Sequence, residues 1–126
     1  MADLGNPFSG YSVDDIDAAQ RFYGQTLGLE TRPVNGLLWL RLGTGADVLL
    51  YPKGDAHVPA SFTVLNFRVA DVPGTVAELR GRGVEFERYE GTPTQTDEDG
   101  VFRDGGPLIA WFTDPAGNVL SIVADD

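Results

Sequence analysis

The 126 residues, 42% of them hydrophobic, are enough for one domain with a buried core, so disorder is not expected. A formal charge of −10, with Lys53 as the lone lysine among nine basic residues, repels phosphate backbones and argues against nucleic acid as a partner. The absence of Cys excludes disulfides, thiolate zinc sites and cysteine nucleophiles. The amino-terminal Met-Ala-Asp-Leu-Gly-Asn-Pro has neither a basic stretch nor an apolar run, and no segment approaches the roughly 18 apolar residues of a membrane span. The expectation is therefore a cytoplasmic chain with no signal peptide and no membrane partner.

In chain order, the first stretch alternates through Tyr11, Ser12 and Val13 and ends at Asp15, a helix N-cap whose carboxylate accepts first-turn amide hydrogens. Ile16, Ala19, Phe22, Tyr23 and Leu27 then recur at helical spacing, and Gly28 ends the pattern. A hairpin follows, with Leu37 to Arg41 as one arm, a turn at Gly45 and residues 48–51 as the other. Pro, Gly and Asp mark a linker at 54–61. A second strand at 62–69 leads to Asp71, then Val72, Val76 and Leu79 at helical spacing, then Gly83. Residues 91–106 are rich in Thr, Asp and Gly without apolar periodicity, and read as a long mobile loop able to act as a lid. The last hairpin turns through Asp114-Pro115-Ala116-Gly117-Asn118.

These elements repeat. Tyr11-Ser12-Val13-Asp14-Asp15-Ile16 matches Phe67-Arg68-Val69-Ala70-Asp71-Val72 at an offset of 56, and the hairpins built around Trp39 and Trp111 match at an offset of 72. The reading is an α+β fold of two tandem βαβββ modules in one domain, 1–126, with module 1 at about 7–53 and module 2 at about 62–124. One helix per sheet covers one face. Two sheets with open faces opposed would enclose a cleft.

With Arg21-Phe22-Tyr23, Leu27-Gly28-Leu29 and the Asp114 to Asn118 turn, the chain resembles the vicinal oxygen chelate superfamily. That superfamily includes glyoxalase I, extradiol dioxygenases, fosfomycin-modifying thiol transferases and bleomycin-binding resistance proteins. The resemblance spans about residues 7–124 and specifies fold better than reaction. It implies a divalent metal held by His, Gln or Glu at positions that here are Phe8, Leu49, Val64 and Ser121. Three of these cannot coordinate a metal, and a neutral serine hydroxyl alone is a poor ligand. The expectation is no metal and no cofactor. The resemblance also implies a homodimer.

Alternation places Phe8, Ser12, Leu49, Tyr51, Val64, Asn66, Arg68 and Ser121 on the open faces, and Trp39 and Trp111 lie on third strands whose side is undetermined. Together these ten residues form the expected ligand-binding surface, aromatic and apolar with few polar anchors. Arg68 needs a carboxylate partner or a ligand, the structural ion pair being the first expectation. His57, the single histidine, reads as a solvated loop residue. Gly43-Thr44-Gly45 is a hairpin turn and Asp97-Glu98-Asp99-Gly100 a solvated loop. The leading functional reading is metal-independent binding of a small organic ligand, aromatic or antibiotic-like, sequestered in the inter-sheet cleft. The alternative is a glyoxalase- or dioxygenase-type lyase or isomerase with a non-standard site drawing on His57, Asp47, Asp97 or Asp99.

Overall fold

Residues 58 and 59 divide the chain into two structural units, Met1–Val58 and Pro59–Asp126. A computed structural model describes residues 2–103 and 106–125, so Asp104 and Gly105 of the expected lid lie outside the described residues.

In the first unit β1 (Ser9–Val13) leads through Asp15 into α1 (Ile16–Gln20). The Asp15 carboxylate accepts hydrogen bonds from the Asp17 and Ala18 amides, as an N-cap should. The helix continues as a π-helical segment (Arg21–Thr26), in which the Leu27 amide donates to the Phe22 carbonyl five residues back. Gly28, at φ 78°, ends it as the sequence predicts. Strands β2 (Glu30–Val34), β3 (Leu37–Arg41) and β4 (Asp47–Pro52) complete a sheet of order β1-β4-β3-β2, with β1 parallel to β4 and the other pairs antiparallel.

Sidedness in this sheet follows from register. Leu38 pairs with Leu50 and Leu40 with Val48, and all four are buried with Val13, Ala19 and Tyr23. This is the face on which α1 packs. The Tyr11 hydroxyl donates to that of Tyr23 at 2.8 Å, giving a buried phenol a partner.

In the second unit β5 (Thr63–Val69) leads to α2 (Val72–Gly81), capped by Asp71 on the Gly74 amide. Gly83 adopts φ 92° and the Val84 amide returns to the Leu79 carbonyl, a Schellman closure. Strands β6 (Ile109–Thr113) and β7 (Val119–Ala124) form a sheet of order β5-β7-β6. Its helix side buries Val72, Val76, Leu79, Ala110, Phe112, Leu120 and Ile122.

Among the described residues this sheet has three strands where the repeat predicts four. The segment between Gly83 and Tyr89 makes one bridge, Phe86 to Phe112, and Tyr89 then turns to φ 50°, which interrupts extended pairing. The expected mobile loop is anchored over much of its described length. Thr96 and Val101 are buried, and the Thr96 hydroxyl donates to the carbonyls of Glu87 and Arg88. The final turn also does more than reverse the chain. Asn118 is buried, its amide donating to Asp114 Oδ1 at 2.8 Å and its side-chain oxygen accepting from the Ala60 amide at 3.0 Å. A Cβ on Gly117 would stand 3.1 Å from Pro59, so φ 85° and crowding both demand glycine there.

The core prediction is direct. Leu50→Ala removes a side chain that is 0% exposed and should cost about 2–5 kcal/mol in urea unfolding. Asp71→Ala, which removes only a cap, should cost about 1 kcal/mol.

Candidate functional site

Each helix covers one face of its sheet, and the other face carries the residues singled out from the sequence with the exception of Val64. In the first unit Trp39 pairs with Leu49, and Leu49 with Gly10, so Trp39 belongs to the helix-free face. Phe8, 58% exposed, meets the Trp39 ring edge-on with centroids 4.9 Å apart. Ser12 pairs with Tyr51 on the same face. Arg41 and Asp47 close its far end with an ion pair of 2.9 Å.

The expectation of a solvated His57 is corrected here. Its ring is half-buried, and Nδ1 lies 2.8 Å from Ser12 Oγ. A short 3₁₀ turn (Gly54–Ala56) brings it back toward β1. Ser12, Tyr51 and His57 therefore supply hydrogen-bonding groups at one end of a floor made by Phe8, Trp39 and Leu49. Sequence reading placed Ser12 and Tyr51 on this surface but kept His57 as a loop residue, a candidate only for the alternative site, because its partner is 45 residues distant.

In the second unit Trp111 pairs with Ser121, which pairs with Asn66, so Trp111 also lies on the helix-free face. Two rings absent from the sequence reading join it. Tyr89 lies 5.3 Å and Phe102 5.9 Å from the Trp111 ring. Burial, with the charge of Glu87 second, pushes the Tyr89 phenol above its usual value and keeps it neutral. Phe102 reaches this place through its bridge to Ile109. Arg68 is exposed beside Val123, and among the described residues it forms no ion pair, contrary to expectation. Val64 also departs from simple alternation. The register shifts between Thr63 and Leu65, so counting by twos from Arg68 does not reach it.

The positions that the resemblance assigns to a metal do not fit one. Phe8, Leu49 and Val64 carry no donor atom. Ser121 is fully buried and its hydroxyl is already donated to Asn66 Oδ1. Among the described residues no group of three or more His, Asp or Glu side chains is placed to hold a metal. Asp47 is paired with Arg41 and Asp97 with Arg103, so two of the substitute ligands considered above are already engaged.

The comparisons agree with this architecture. The family model for the Glyoxalase/Bleomycin resistance protein/Dioxygenase superfamily matches residues 8–122, and the chain belongs to that superfamily. A putative glyoxalase family protein from Bacillus anthracis is 19% identical over 100% of both chains, with a TM-score of 0.68. TnmS3, an antibiotic binding protein from Streptomyces sp. CB03234, is 24% identical over 99% of this chain and 100% of its own, with a TM-score of 0.64. Lactoylglutathione lyase from Agrobacterium tumefaciens is 21% identical over 98% of this chain and 96% of its own, with a TM-score of 0.65. No curated protein matches the chain in sequence. Among the described residues no helix is long and apolar enough to cross a membrane.

The loop that places Phe102 depends on Asp97. Partial burial raises its carboxyl, but bonds from Arg103 and from the Val101 and Asp99 amides outweigh that effect, so it titrates below its usual value. A lowered folded value means the anchoring is complete above the unfolded pKa and is lost as pH falls through the folded one. The protection of the Val101 amide against hydrogen exchange, taken relative to its intrinsic rate at each pH, should therefore fall as pH drops below the ordinary carboxylate range. Asp97→Asn should show that lower protection already at neutral pH.

Proposed function

We propose that this protein is a small-molecule-binding member of its superfamily, capturing an aromatic or antibiotic-like ligand on the helix-free faces of its sheets without a chelated metal. The observation that carries this reading is the pair of aromatic surfaces, Phe8 with Trp39 and Tyr89 and Phe102 with Trp111. Flat rings offer large contact area at little cost in conformational entropy, and each surface has polar groups beside it to orient a ligand. Ser12 with His57 serves the first; Asn66 and Arg68 serve the second. The metal positions support binding over chelation because their residues lack free donors. The antibiotic binding activity named for TnmS3 is consistent with such a use of the fold, although at 24% identity it bears on fold alone.

A second reading rests on one observation, the contact between Ser12 Oγ and His57 Nδ1. A histidine so held can move a proton on a bound carbonyl compound, which would make the protein a lyase or isomerase.

Titration of tryptophan fluorescence with planar aromatic and glycopeptide antibiotics tests the first reading. A saturable change is expected, and Trp39→Ala should weaken binding about tenfold where the first surface is used. The proposal falls if no compound perturbs either tryptophan, or if protein purified without chelators carries a stoichiometric divalent ion. His57→Ala separates the two readings. Under the second it abolishes turnover while ligand binding survives.

A further inference from the structure

The first unit has a concavity lined by none of the residues of the face just described, and the sequence reading used none of its residues for function. Its volume is about 510 Å³, and one wall is formed by Asp17, Gln20, Arg21, Gly24 and Gln25. Their spacing is that of a single helical stripe. Leu29 and Thr31 form the other wall, beyond the turn at Gly28. That size falls in the range of small-ligand sites, roughly 300–1,000 Å³.

Three features distinguish it from an ordinary polar helix face. First, the stripe runs through the π-helical segment, a distortion that concentrates at functional sites. Second, Gly24 keeps the floor low. A Cβ there would rest in van der Waals contact with Thr31, 3.4 Å from its Oγ1 and 3.5 Å from its Cγ2, so a side chain at this position would occupy space between the two walls. Third, its charges are unused. Asp17 and Arg21 are four residues apart, yet among the described residues neither forms an ion pair, and the side chains of Gln20, Gln25 and Thr31 have no hydrogen bond.

We propose that this concavity binds a small zwitterion, a free α-amino acid with a polar side chain. Arg21 receives the carboxylate through the planar fork of its guanidinium. Asp17 receives the ammonium group. Gln20, Gln25 and Thr31 are left to bond the ligand's side chain, and Leu29 packs against its methylenes. A purely anionic ligand would oppose the net charge of −10, and a purely cationic one would meet Arg21. Opposite charges on adjacent carbons answer both.

The test is a heteronuclear NMR titration of the full chain with L-glutamine as probe. Saturable shifts are expected at the Gly24 and Thr31 amides. Two analogues each remove one charge: γ-aminobutyramide lacks the carboxylate and glutaramic acid lacks the ammonium. Each should bind about tenfold more weakly, as expected when one charge-assisted contact is lost. Arg21→Met should reduce affinity similarly. Gly24→Leu should abolish binding by filling the floor, and it replaces a poor helix former with a good one, so the fold is expected to survive. The absence of saturable shifts would overturn the proposal. Equal affinity for the single-charge analogues, or unchanged binding in Arg21→Met, would do so as well.

Discussion

A strand has two faces, and among the described residues one helix packs on the sheet of each unit and covers one of them. The arrangement of everything else follows from that shortage. Apolar residues alternate on β3 and β4 so that Leu38, Leu40, Val48 and Leu50 are buried on the helix side while Trp39, Leu49 and Tyr51 are not. Side chains on the uncovered face cannot be arbitrary. They must tolerate water, and aromatic rings with a polar neighbour can do so. The second unit repeats the arrangement with Trp111, and recruits Tyr89 and Phe102 from a segment without regular structure.

Such a scaffold separates stability from chemistry. The buried layer is built from Val, Leu, Ala and Phe and needs no particular reaction to justify it. The exposed layer is free to change. Here the positions that the resemblance assigns to a metal carry Phe8, Leu49, Val64 and Ser121, and the Ser121 hydroxyl already donates to Asn66 Oδ1. At these positions the second sheet carries a part-buried Ser121–Asn66 hydrogen bond, and the first unit a ring contact between Phe8 and Trp39.

Much of this was legible in the residues because it depends on local rules. Asp15 and Asp71 cap helices, Gly28, Gly83 and Gly117 take left-handed backbone, and the paired offsets reveal the repeat. What escaped depends on contacts between distant residues or on departures from periodicity. Helical spacing cannot reveal that Arg21–Thr26 is π-helical, since the apolar positions are the same. The missing fourth strand of the second sheet turns on the backbone of Tyr89, a residue that ordinarily favours extension. Val64 was assigned a face by counting, and a register shift defeats counting. His57 had no visible partner because the chain returns to Ser12 only after a whole hairpin.

The parallel pairings have a consequence for how the chain comes into being. In each sheet the first strand lies beside the last, β1 against β4 and β5 against β7. Neither sheet can be assembled strand by strand in the order of synthesis. The first unit has its final strand in hand by Pro52, long before the chain is finished. The second must wait, because β5 has no neighbour until β7 has been made, and β7 ends at Ala124. In a chain halted before Val119, β5 would have no strand of its sheet to pair with, so the second sheet forms only once β7 has been made.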